Sequence, residues 1–188
     1  MLISQRSWAF KMNTIDGLEN VCLLEAFSEH EEVFKLIDQC VSLQSDRDDN
    51  INASKVELIY EKFIKILDRY QDQPQLIDQH LNQMMARLME PIYGQEKGGS
   101  TLAYHTACKL IYHISKVRGY KTTLRHLPHQ VPDLGLALDL LSRESTDNLS
   151  KWQTRYVLWM WLSLLFTLPF DFKRFDSLGG GQIPLMER

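Results

Sequence analysis

Five residues near the middle of the chain have types and spacing suited to recognition. Lys116, Arg118, Tyr120, Lys121 and Arg125 place four cations and one aromatic ring within ten positions, in a chain whose formal net charge is −3. Cations in the last turn of a helix oppose its dipole, and Gly119 is a natural C-terminal cap, which accounts for Lys116 and Arg118. Tyr120, Lys121 and Arg125 are left over. Together the five residues form a basic and aromatic corner suited to an acidic protein partner. The bland alternative is a solvated charge cluster.

Other chemistry is poorly supplied. Asp46-Arg47-Asp48-Asp49-Asn50, with Asn52, Ser54 and Glu57, places oxygen ligands at calcium-loop positions, but Ile51 stands where the sharp turn needs glycine. His105, Cys108, His113, His126 and His129 lack a Cys-x-x-Cys partner pair, and Cys108 and His113 fall on different faces of a helix. Gly179-Gly180-Gly181 has no following Lys-Ser/Thr for phosphate and magnesium. With no nucleophile elbow and no cysteine in a recognisable nucleophilic context, the expectation is a non-enzyme with no cofactor and no metal. The acidic balance argues against nucleic acid. Cys22, Cys40 and Cys108 are odd in number and scattered, which fits free thiols in the cytoplasm. Ser4, Gln5, Arg6 and Ser7 interrupt any signal-peptide core.

The elements that must position the corner read as helices. Ser54-Lys55-Val56-Glu57 has the form of a capping box, followed by Val56, Ile59, Tyr60, Phe63, Ile66, Leu67 and Tyr70 at helical spacing. Pro74 opens a second helix carrying Leu76, Ile77, Leu81, Met84, Met85 and Leu88, which Pro91 and Gly94 should close. Ser100 caps a third, with Ala103, Ala107, Leu110, Ile111, Ile114 and Val117 on one face and Gly119 at its end. A short segment, 120–127, precedes a helix opened by Pro132. Ser150-Lys151-Trp152-Gln153 is a second capping box. Residues 19–27 and 28–43 read as two further helices, and residues 46–50 as an acidic loop.

Residues 156–170 form the most apolar run, bounded by Arg155 and Asp171. A membrane-spanning helix needs roughly 20 such residues, so this run is expected to lie inside protein, with neighbours covering it on several sides. The starts at Ser54, Ser100 and Ser150 recur at roughly the HEAT and armadillo spacing of about 40 to 47 residues. The expected fold is all-α, a HEAT/armadillo-like helical-repeat solenoid segment, with a helical bundle as the alternative.

Three strings carry a resemblance. KVRGYKT at 116–122, RYQDQPQLID at 69–78, and W-x-TRY followed by LWMWLSLLFTLPFDF at 152–172 resemble the N-terminal region of the tubulin-folding cofactor D family. The resemblance implies a helical solenoid in a cytoplasmic chaperone associated with the microtubule cytoskeleton. It implies β-tubulin as client, tubulin-folding cofactors C and E and an Arf-like small GTPase as partners, and a role in building or dismantling the αβ-tubulin heterodimer. It also implies stimulation of GTP hydrolysis by tubulin, the chemistry belonging to tubulin. A scaffold regulating the Arf-like GTPase without touching tubulin is the rival reading. The resemblance assigns no contact residues.

The expected organisation is a non-family segment at 1–16, with Met12 an alternative start, a HEAT/armadillo-like domain at 17–175, and a glycine-rich loop with the beginning of a helix at 176–188. Family members are several times longer, which implies a fragment whose last repeat lacks its cover.

Overall fold

The helix that begins after Ser100 organises the rest. Ser100 Oγ accepts the Ala103 amide at 3.3 Å, satisfying one of the donors left open at a helix start. In the computed structural model, which describes residues 24–43, 49–145 and 151–168, this helix is α4, Thr101–Arg118. Around it stand α1 (His30–Val41), α2 (Asp49–Leu67), α3 (Asp78–Gly94), α5 (Tyr120–Leu124), α6 (Val131–Arg143) and α7 (Trp152–Leu165), with no strand among the described residues.

The helices pair in chain order. α1 packs on α2, α3 on α4, and α6 on α7, while α2, α4 and α7 lie side by side as one row and α1 and α3 adjoin in a second. Stacked helix pairs of this kind are the unit of a helical-repeat solenoid, so the chain is an all-α repeat segment. α4 touches α1, α2, α3, α5 and α7. Only Leu102, His105, Lys109, Tyr112 and Lys116 reach its surface between Leu102 and Val117. That single row recurs every three or four residues, as expected of a helix covered on its other sides.

Polar clasps fix the stacking. Arg87 Nη1 donates to both oxygens of Asp38 at 2.8 and 2.9 Å, and its guanidinium lies 4.6 Å over the Phe34 ring, joining α3 to α1. Tyr70 donates to Glu29, and Arg69 reaches the same carboxylate at 2.6 Å. At the other end, the Trp161 indole N–H donates to the Pro128 carbonyl at 2.7 Å, and its ring meets Tyr93 edge to face. Tyr93 donates to Asp133 at 2.9 Å, while the other Asp133 oxygen accepts the Gln130 amide at 2.7 Å and caps α6. One buried carboxylate thus satisfies a helix start and ties α6 to α3.

Several boundaries differ from the sequence reading. α2 begins at Asp49, five residues before Ser54, so the Ser54–Glu57 pattern lies inside the helix, with Ser54 and Glu57 on exposed positions. Acidic residues suit a first turn, and the short pattern cannot distinguish a helix start from a solvated helix face. Asp46, Arg47 and Asp48 lie outside the described residues. Pro74 opens a 3₁₀ turn, Pro74–Ile77, and α3 starts only at Asp78. Pro91 does not close α3, which runs on to Gly94: so near the end proline forfeits one ladder bond, and burial of Leu88, Met89 and Ile92 outweighs it. The closure comes at Gly98, with φ 72, and at Gly99, where a Cβ would meet the Gly94 carbonyl at 2.9 Å. Residues 24–27 are not helical: Phe27 leaves helix geometry to pack edge to face on Tyr70. The remainder of the helix expected at 19–27, Ser150, and the segments 1–16 and 176–188 lie outside the described residues.

The apolar run is covered, but on one side only. Val157, Leu158, Trp161, Leu162 and Leu165 are buried, whereas Trp152, Tyr156, Trp159 and Phe166 are exposed. Among the described residues no helix is long and apolar enough to cross a membrane.

Two tryptophans two positions apart therefore predict opposite outcomes. Trp161→Ala should cost about 3–5 kcal/mol, and Trp161→Phe about 1–2 kcal/mol for the lost hydrogen bond and volume. Trp159→Ala should stay within about 0.5 kcal/mol. Urea unfolding followed by circular dichroism measures all three.

Candidate partner-binding surface

The basic corner is built on a helix bend. Gly119 ends α4 with φ 94, a value that strains any residue with a Cβ, and α5 starts immediately after it. Three bonds hold the bend. The Gly119 amide donates to Ser115 O at 3.0 Å, and both the amide and the fully buried hydroxyl of Thr123 donate to Gly119 O at 3.2 Å.

This bend sends the five predicted residues in four directions. Tyr120, 52 % exposed, and Lys121 stand free on the first turn of α5. Arg125 borders an open cavity of about 430 Å³, shared with Asn82 and Ala86 of α3 and with His126 and His129. Lys116 projects from the surface row of α4 on the side of His113, whose neutral form it helps to favour. Arg118 turns inward instead. Its Nε and Nη2 grip the two oxygens of Asp78, the latter at 2.7 Å, and this bond raises its pKa further. A bidentate guanidinium–carboxylate pair has little left to offer a partner, so Arg118 positions the corner by tying α4 to the start of α3.

A second feature escaped the sequence reading. Trp152, Tyr156, Trp159 and Phe166 recur at helical spacing along α7, with Ser163 on the same row, and make an aromatic ridge. Tyr112 of α4 extends it, its ring meeting Trp152 at 4.7 Å and Tyr156 at 5.2 Å, both edge to face. Lys109, one turn before Tyr112, lies 5.7 Å over the Tyr60 ring of α2.

Beneath the ridge runs a polar seam without catalytic character. His105 Nδ1 lies 2.9 Å from Thr154 Oγ1, and Nε2 lies 3.8 Å from Glu144. Burial lowers the His105 pKa to about 4, and Lys151 and Lys109 push in the same direction. Burial drives the Cys40 thiol up to about 12 and the Cys108 thiol higher still, so neither supplies a thiolate nucleophile near neutral pH. Among the described residues no group of three or more His, Cys, Asp or Glu side chains is placed to hold a metal ion.

Comparison with known proteins decides the family. Residues 67–188 match the family model for the tubulin-specific chaperone D-like armadillo repeat. The chain belongs to the tubulin-specific chaperone D-like family. Two curated relatives of the family agree. Tubulin-specific chaperone D of Dictyostelium discoideum is 23% identical over 232 aligned residues, covering 81% of this chain and 15% of that protein. Tubulin-folding cofactor D of Schizosaccharomyces pombe is 27% identical over 130 residues, covering 69% of this chain and 11% of that protein. The chain thus spans less than a sixth of the length of either. No solved structure matches significantly. The matched stretch runs from the end of α2 through α7, so this family's repeat region contains both the bend and the ridge.

The buried histidine gives a pH dependence. With a folded pKa near 4 against an ordinary 6.5, His105 is protonated more readily in the unfolded chain. Stability should therefore fall as pH drops from about 6.5 towards 4. His113 and His80 are also shifted down, chiefly by burial, and add to the slope. His105→Gln should flatten the decline between pH 7 and 5 by on the order of 1–2 kcal/mol. Thermal melts of both proteins across that range provide the measurement, and parallel slopes would refute the assignment to His105.

Proposed function

We propose that this chain is a segment of a tubulin-folding cofactor that engages β-tubulin after its release from the chaperonin, acting in assembly or disassembly of the αβ-tubulin heterodimer. The observation that carries the reading is the family match across residues 67–188, which includes the whole bend. The α4–α5 corner, with Lys116, Tyr120, Lys121 and Arg125 outward and Arg118 anchoring it, is the contact surface of this proposal.

The role is non-catalytic. Described thiols are protonated and buried, and the pairing of helices supplies an extended surface rather than a pocket of reactive groups. Any stimulation of GTP hydrolysis then places the chemistry on tubulin, with cofactors C and E and an Arf-like small GTPase as the accompanying proteins. The cytoplasm, at the microtubule cytoskeleton, is the corresponding location.

Purified native tubulin should be enriched on the immobilised chain at low salt, and Lys121→Glu with Arg125→Glu should weaken that enrichment about tenfold while leaving helix content unchanged. The expected strength follows from exposed charges that steer and orient association more than they stabilise the fold. Absence of enrichment would refute the tubulin reading. Retention of an Arf-like GTPase without tubulin would replace it with the scaffold reading.

A further inference from the structure

The ridge on α7 gathers four of the seven large apolar side chains left exposed among the described residues. Trp159 is 60 % exposed and Phe166 51 %, while Trp161 between them is fully buried, so the contrast comes from helix facing and not from a loose helix. Soluble proteins scatter single exposed apolar residues, but a contiguous row of large rings marks an interaction surface. The row from Trp152 to Phe166 runs about 21 Å along one helix face, the length presented by an amphipathic helix lying against it.

Charge around the ridge selects what can lie there. Neither α4 nor α7 contains an Asp or Glu. Lys109 and Lys116 stand on the surface row of α4 with Tyr112 between them. At the other margin, Lys151 precedes α7, and Arg155 donates to Ser145 O at 2.9 Å. Among the described residues, two nearby carboxylates are already engaged. Asp68 accepts from Gln71 at 2.8 Å and lies 2.9 Å from His113, while Glu144 is 11% exposed beside His105. Glu57, exposed on α2, acts on Tyr60, the ring over which Lys109 lies. Aromatic anchors rimmed by cations suit a ligand with apolar side chains on one face and carboxylates beside them.

We propose that the α4–α7 face, formed by Tyr112, Trp152, Tyr156, Trp159 and Phe166 with Lys109 and Lys116, docks an acidic amphipathic helical segment of a partner protein. The surface shares Lys116 with the proposed tubulin corner but otherwise differs from it, since Arg125 faces α3, and it does not depend on tubulin supplying the segment. The rings bury the apolar stripe of the segment, and the lysines fix its orientation and exclude basic helices.

The test uses the whole chain and two labelled synthetic peptides of 18 residues. Both carry leucine at positions matching the ridge, with glutamate and alanine elsewhere in one and lysine and alanine in the other. In fluorescence anisotropy at low salt, the acidic peptide should bind at least tenfold more tightly than the basic one, and its binding should weaken with added salt. Lys109→Glu and Trp159→Ala should each reduce affinity at least tenfold with an unchanged circular dichroism spectrum. Phe166→Ala supplies a second reading of the ridge should either variant misfold. No binding, or equal affinity for both peptides, overturns the proposal. So does a dimer in sedimentation that Trp159→Ala dissociates, which makes the occupant a second copy. Resistance of Trp159 emission to acrylamide, read against Trp159→Phe, also overturns it, because the chain then covers its own ridge.

Discussion

Burial of α4 is the constraint on which the architecture depends. A helix with five neighbours must turn apolar atoms to nearly every direction, and Ala103, Ala107, Cys108, Leu110, Ile111 and Ile114 do so with small and medium side chains that let the surrounding helices approach. Its polar residues are then forced into partnerships or onto the one open row. Thr106 donates to Leu102 O at 2.8 Å, Ser115 to Tyr112 O at 2.7 Å, and His113 meets Asp68. Each bond removes a polar group that burial would otherwise penalise. Packing of α2 on one flank and α7 on the other follows from that central rod, and the repeat row follows from their packing.

The same constraint generates the functional surfaces. Because α4 ends at Gly119 and turns into α5, the residues beyond the bend cannot join the buried rod and are delivered outward as Tyr120, Lys121 and Arg125. Because α7 has only one flank to give to α4 and another to α6, its opposite face remains open. A repeat protein needs both properties: interiors that fix each helix pair against the next, and rows of outward side chains that change from pair to pair without disturbing the stack. The clasps between Arg118 and Asp78 and between Tyr93 and Asp133 belong to the first property, although the residues are charged or polar.

Local signals in the sequence were legible wherever backbone chemistry has few solutions. Ser100 and Gly119 bound α4 as a cap and a positive-φ stop should, and Pro132 lies in the first turn of α6. Signals with several solutions misled. Ser54 and Glu57 sit on an exposed helix face as readily as at a helix start, and Pro91 is tolerated so close to the end of α3. Arg118 looked free because its partner, Asp78, is forty residues away, and no local pattern announces a contact at that distance. The open face of α7 was hidden for a different reason. Aromatic and aliphatic residues both count as apolar, so a helix with rings on one side and mostly Val, Leu and Met on the other looks uniformly buried. Ser163, on the ring side, was a polar marker of that face.

Amide hydrogen exchange on the intact chain, resolved by residue, tests most directly whether a covered α4 holds the stack together. Amides from Ala107 to Ile114 should exchange slowest, at the rate set by global unfolding, with Leu158 to Leu162 of α7 close behind and α5 much faster. Exchange through α4 as fast as through α5, or α4 opening independently of α2 and α7, would contradict the account.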